Sequence, residues 1–208
     1  MKLEYPGVAG SGEIWLDVVR AICGDLPNRK HSSICDLMCH KAPYTPQLGF
    51  KDITLVDIQY RGLDIPNVRT ATFAFYCKDV ISFLQSDPAD YDVMICSDGI
   101  EHLSQSQGEH MLEMMVTSAT KSIIFTPLGD QSISNDKHPD SHKSGWTPES
   151  FANLLYNEWA FAVFPNFHPQ LNCGAFFAWH CGDVDELPED FERVKKELNN
   201  KSWSLLNS

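Results

Sequence analysis

Apolar positions along the chain fall into short runs separated by polar, turn-rich segments. Ser33–Leu37 and Ile53–Ile58 are strand-length runs that contain Asp36 and Asp57. Thr70–Tyr76 alternates and is rich in β-formers, and Val93–Cys96, Ser122–Phe125, Ala160–Phe164 and Cys173–Trp179 complete seven predicted strands. Helical spacing is clearest in Glu13–Cys23, where Ile14, Val18, Ala21 and Ile22 share one face and Gly24 and Pro27 stop the helix. Asp79 is positioned to cap a helix running through Leu84. Ile100–Ala119 reads as helical, broken or bent near Gly108. Thr147 and Pro148 open another helix, to about Asn157, and Leu187–Leu198 forms a charged helix or tail.

The first five strands alternate with helices, as in a parallel α/β sheet. The connection Pro165–Asn172 is short enough to pair the last two strands antiparallel. Residues 1–12 hold Gly-bounded turns and are expected to form a loose arm. Residues 127–146, rich in Gly, Pro, Ser, Asp and Asn, form a long loop of the kind that covers binding sites. Residues 183–208 are the C-terminal helix or tail.

Composition narrows the picture. With 208 residues, 43% of them hydrophobic, the chain is expected to form a single domain with one substantial core. A net charge of −12 argues against a nucleic-acid surface, which needs Lys and Arg against phosphate. No run is long and apolar enough to span a bilayer, and the first residues carry no hydrophobic signal region. The seven cysteines are odd in number and several sit in apolar runs, which suits buried free thiols in a reducing, cytoplasmic setting.

The strand-end acids carry the chemistry. Asp57 lies twenty-one positions after Asp36, the spacing at which an acid ending a second strand accepts hydrogen bonds from ribose hydroxyls. The segments Asp36–Ala42, Leu55–Asp57, Cys77–Val80 and Tyr91–Leu103 together resemble the motifs of the class I S-adenosylmethionine-dependent methyltransferases. The resemblance covers roughly residues 12–182 and is strongest in Tyr91–Leu103. It implies a Rossmann-like fold: a seven-stranded, mostly parallel sheet with a C-terminal antiparallel hairpin and helices on both faces.

That resemblance implies S-adenosylmethionine as cofactor, contacted by Asp36, Cys39, His40, Asp57, Ile58, Asp79, Val80, Ser97 and Asp98. Asp57 would hold the ribose hydroxyls and Asp79 the adenine amino group, unless Asp79 serves only as a helix cap. Asp98 and His102 are the candidate catalytic residues. The ordinary imidazole pKa suits proton removal, although methyl transfer by alignment alone needs no base. His142 and Trp146 are candidates to line the acceptor pocket under the 127–146 loop, with Trp146 as a core anchor the competing reading. The acceptor is expected to be an O or N nucleophile of a small molecule or glycan. No metal site is expected, because neither His138 with His142 nor Cys35, Cys39 and His40 forms a compact paired-ligand pattern.

One departure from the family stands out. Met38, His40 and Ala42 occupy the first turn where glycines are expected, and glycine is used there for close backbone approach and for unusual dihedrals. The cofactor then sits differently, or the turn is remodelled, or binding is lost and the protein is a non-catalytic binding or scaffolding relative.

Overall fold

The computed structural model describes residues 1–6, 8–63, 71–86, 90–129, 138, 140–151, 154, 158–168 and 173–201. Eight strands form one sheet: β1 (Lys2–Glu4), β2 (Ser33–Leu37), β3 (Asp52–Asp57), β4 (Thr72–Cys77), β5 (Tyr91–Ser97), β6 (Ala119–Pro127), β7 (Ala160–His168) and β8 (Cys173–Cys181). Their order is β1-β7-β8-β6-β5-β2-β3-β4. Every neighbouring pair is parallel except β8 with β6 and with β7. The expected parallel sheet with a final antiparallel hairpin is therefore present.

Two features differ from the sequence reading. Lys2–Glu4, expected within a loose arm, pairs in parallel with Phe161–Val163 and adds an eighth strand. The arm is held further on as well: Val8 is buried, and Gly10 N–H donates to the Phe167 carbonyl at 2.7 Å. The helix is not broken at Gly108 but runs through it. A 3-10 turn, Ile100–His102, precedes α3 (Gln105–Ser118), whose start is fixed by a capping box between Ser104 and Gln107. Gly108 lies inside α3 because any Cβ there would fall 2.4 Å from the Trp146 ring. Local sequence reads that glycine as a breaker; packing makes it a seat for an indole.

The remaining helices follow the apolar pattern. In α1 (Gly12–Cys23), Ser11 caps the first turn by accepting from Ile14 N–H, and Gly24 ends the helix at a positive φ of 56°. The other helices are α2 (Val80–Ser86), α4 (Pro148–Phe151) and α5 (Leu187–Asn199). Residues 152–153 and 155–157 of the helix expected from Thr147, the expected strand start at Thr70, and much of the 127–146 loop lie outside the described residues. Apolar side chains of α1 and α5 cover one face of the sheet; those of α2, α3 and α4 cover the other. Phe191, Val194 and Leu198 are buried, so the C-terminal segment is a packed helix rather than a tail. Among the described residues, no helix is long and apolar enough to cross a membrane.

Candidate functional site

The carboxyl ends of β5, β2, β3 and β4 lie side by side, and the chain order reverses between β5 and β2. Such a switch point opens a crevice for ligands in α/β sheets. Two adjoining chambers occupy it. The first, about 460 Å³, is lined by Trp15, Asp36, Cys39, Tyr44, Ser97 and Phe167 among others. The second, about 430 Å³, is lined by Asp57, Ile58, Asp79, Val80, His102 and Leu103 among others. His40 and Asp98 line both and stand at their common border, the neck of the trough.

The turn after β2 shapes that neck. Met38, His40 and Ala42 have φ values of 57°, 50° and 48°, the left-handed region that favours glycine. Three residues with a Cβ therefore hold, at this turn, φ values that glycine adopts at no steric cost. Each left-handed residue with a Cβ costs about 1–2 kcal/mol, so tertiary contacts must hold the segment. Those contacts are visible. Cys39 N–H donates to the Val56 carbonyl at 2.9 Å, and His40 N–H donates to Asp57 Oδ2 at 2.9 Å. Because the His40 side chain is exposed, His40→Gly is expected to relieve strain without opening the core. Its melting temperature should rise by about 2–4 °C, the equivalent of about 1 kcal/mol; a fall would mean that the imidazole makes contacts worth more than the strain.

Asp57 ends β3 and is buried. Its two oxygens accept from His40 N–H and, at 2.9 Å, from Gln59 N–H, and carboxylate lone pairs remain for further donors. Beside it Ile58 is 56% exposed, an apolar face turned to the second chamber rather than to the core. Asp79 is exposed at the far end and accepts from Ser82 N–H at 3.0 Å. It thus caps α2, and its hydrogen bonds with Ser82 hold its carboxyl below the usual range. Val80 is buried behind it and still lines the chamber.

Asp36 lies inside β2 and accepts from Thr45 Oγ1 at 2.5 Å, which ties the strand to the 3-10 turn Thr45–Leu48. Burial raises its pKa to about 7. Burial also raises the Cys39 thiol. Ser97 accepts from Trp15 Nε1 at 3.1 Å, locking α1 over the first chamber.

Asp98 follows β5 with a φ of 48°, and its N–H donates to the Phe125 carbonyl. The residue is exposed and lines both chambers. Burial among protein atoms, then the nearby Glu101 carboxylate, push its pKa to about 7. Glu101 is buried in the next turn, accepts from Thr126 Oγ1 at 3.0 Å, and has a pKa raised by burial to about 7. His102 lines the second chamber, half-buried, with Nδ1 3.4 Å from the Ser141 carbonyl. Burial lowers its pKa, so the imidazole is neutral near pH 7.

His142 packs edge-on against His102, with ring centroids 5.1 Å apart. Glu101, His102 and His142 each offer one ligand atom, all within 4.8 Å of one another. Trp146 cannot line an acceptor pocket. It is fully buried, its Nε1 donates to Ser144 Oγ at 2.8 Å, and it packs on Phe151. The described part of the 127–146 loop meets the second chamber through Asp140 and Lys143, whereas the aromatic first chamber is covered by α1 and β7.

The sequence reading missed Trp15, Tyr44, Phe167 and His168 at the first chamber and Arg61 at the second, whereas Lys143, read beside His142 as an acceptor-side residue, does line the second chamber. Trp15 carried a partial signal, an indole on a helix whose apolar face was otherwise complete. The rest come from segments that only the fold brings together.

No protein-family model matches the sequence, and no curated protein matches it significantly. Solved structures do match. The chain superposes on DhpI in complex with SAH with a TM-score of 0.58 at 12% identity, over 82% of this chain and 85% of that one. It superposes on the N-methyltransferase NodS from Bradyrhizobium japonicum WM9, in complex with S-adenosyl-L-homocysteine, with a TM-score of 0.57 at 14% identity, over 82% and 87%. Against the small RNA methyltransferase HEN1 the TM-score is 0.58 at 17% identity, over 83% of this chain and 26% of that one. The fold is the Rossmann-like fold of the S-adenosylmethionine-dependent methyltransferases.

Proposed function

We propose that this protein is an S-adenosylmethionine-dependent methyltransferase acting on an O or N nucleophile of a small molecule or glycan. The observation that carries the reading is the strained turn at Met38–Ala42, which keeps a glycine-type conformation and feeds the His40 N–H to Asp57. Strain retained at a ligand-facing turn is expected where the geometry serves binding. The residues present fit the cofactor. Asp57 retains acceptor capacity for ribose hydroxyls, and Ile58, Val80 and Leu103 offer apolar surface for a flat base, with Asp79 at its edge. Asp36, Cys39, Ser97 and the His40–Asp98 neck would border the methionine part.

S-adenosylmethionine supplies a methyl group on a sulfonium, and transfer is an in-line displacement in which alignment provides much of the rate. Asp98 and His102 are the residues proposed to act on the acceptor, and a neutral imidazole in the trough suits proton removal. The aromatic first chamber and the net charge of −12 favour a small acceptor over a nucleic acid. All seven thiols are free and six are buried, which supports a reducing, cytoplasmic setting.

Thermal shift with S-adenosylmethionine and S-adenosylhomocysteine tests the cofactor directly, because a ligand of the native state raises the midpoint by mass action. A rise with both is expected. Asp57→Ala should weaken binding by about tenfold or more in calorimetry, as a buried acceptor of two hydroxyls is lost. No shift at millimolar cofactor would favour a scaffold in which the His40 side chain blocks the neck.

A further inference from the structure

We infer that Glu101, His102 and His142 form a binding site for one divalent transition-metal ion at the edge of the trough. One carboxylate and two imidazoles, each with a ligand atom within 4.8 Å of the others, surround a common point. The donors come from two segments that the fold clips together. Lys143 N–H and Ser144 N–H donate to the Glu101 carbonyl at 2.7 and 3.2 Å, and Ser144 Oγ donates to the Ile100 carbonyl at 3.4 Å. The loop carrying His142 is thereby fixed against the turn carrying Glu101 and His102.

Two of the donors also have an outer partner of the kind that orients metal ligands. Thr126 Oγ1 holds one oxygen of the buried Glu101. The Ser141 carbonyl receives His102 Nδ1–H, which leaves the Nε2 lone pair for a metal. Asp98, three residues before Glu101, lines the second chamber together with His102.

The donor set selects the ion. Mixed nitrogen and oxygen ligands suit Mn²⁺, Fe²⁺, Co²⁺ or Zn²⁺, whereas Mg²⁺ and Ca²⁺ favour oxygen alone. Three protein ligands leave further coordination positions for a small molecule, and His102 lines the second chamber. A metal at this point deepens the methyltransferase reading, and its role toward an acceptor rests on that reading. A hydroxyl oxygen is the acceptor group that an open metal position takes, and a bound metal lowers the pKa of such a hydroxyl. Asp98 then receives the hydroxyl proton. The oxygen forms a bond to the methyl carbon, and the sulfur–methyl bond breaks with its electron pair left on sulfur. In the metal-bound form His102 is a ligand, and the proton removal proposed for it above passes to Asp98.

The test is metal titration of the full chain after chelator treatment, with Mn²⁺, Co²⁺, Zn²⁺ and Mg²⁺ as separate probes, followed by calorimetry and, for Co²⁺, by visible absorption. One equivalent of Mn²⁺, Co²⁺ or Zn²⁺ should bind at least about tenfold more tightly than Mg²⁺. His142→Gln, on a half-buried loop residue, should weaken binding by about tenfold or more while circular dichroism stays unchanged; His102→Gln should do the same. Absence of saturable binding at millimolar metal overturns the site, as does unchanged affinity in both variants. Stoichiometric metal binding without any cofactor shift would keep the site and remove only the methyltransferase reading.

Discussion

Replacement of Asp190 by alanine is expected to cost about 3–5 kcal/mol of stability, a loss large enough to lower the urea midpoint of the whole domain. The reason lies on the face of the sheet away from α3. Asp190, at the start of α5, accepts from Lys121 Nζ at 2.5 Å and from Arg193 Nη2 at 2.6 Å through one oxygen. Its other oxygen accepts from Trp179 Nε1 at 3.2 Å. Lys121 is buried in β6 and also donates to the Ile22 carbonyl, and Arg193 donates to the Ala21 and Ile22 carbonyls. One carboxylate therefore joins β6, β8, α5 and the end of α1. Its removal strands a buried ammonium, which costs more than the ion pair itself contributes. The double variant Lys121→Met with Asp190→Leu should recover most of the loss, because apolar residues of similar volume need no partner. A single-variant loss below about 1 kcal/mol would mean that water reaches Lys121 and solvates it.

The second large effect depends on pH. Asp36 is buried with a pKa near 7, against an ordinary value of 3.8, and burial is the main cause. Its proton is therefore held more tightly in the folded chain than in the unfolded one. Stability from this group is complete below the unfolded pKa and is lost as pH rises through the folded one. Between about pH 5 and pH 8 the loss amounts to about 2–3 kcal/mol. Asp98 and Glu101, whose pKa values also lie near 7, contribute with the same sign. Asp36→Asn keeps an acceptor for Thr45 and removes the titration. Its unfolding free energy should fall less steeply with pH than the wild type's by that amount, measured by urea titration at several pH values. An identical slope in the two proteins would show that Asp36 is ionised in the folded state.

The two effects share an origin with the site. Buried ionisable groups on the first face of the sheet are paired and serve stability, as the Lys121–Asp190–Arg193 cluster does. At the carboxyl edge burial raises the pKa of Asp36, Asp98 and Glu101 to about 7, with Asp57 adding to the rise at Asp36 and Glu101 to that at Asp98. Such clustering is what functional sites require and cores avoid.

How much of this was legible beforehand can be traced residue by residue. Asp57 was readable because a strand-ending acid at the right distance from a first strand needs only local pattern and topology, and β3 ends on it. Asp79 was readable as a cap because capping is local, and it caps α2. Trp146 was readable only as one of two things, a pocket residue or a core anchor, and it is the anchor: an indole in a polar loop gives no sign of which side it faces, and Gly108, thirty-eight positions earlier, provides the space that buries it. β1 was missed since a three-residue edge strand owes its existence to the exposed edge of β7.

Taken alone, the amino-acid order determined the alternation of strands and helices, the antiparallel end of the sheet and the acids at the strand termini, because these depend on periodicity and on contacts between near neighbours. Tertiary structure alone decided that Met38, His40 and Ala42 hold left-handed dihedrals, and that Glu101, His102 and His142 converge. Left-handed strain persists only where distant groups such as Val56 and Asp57 fix the backbone, and convergence of a turn with a loop some forty residues away is a property of the packed sheet.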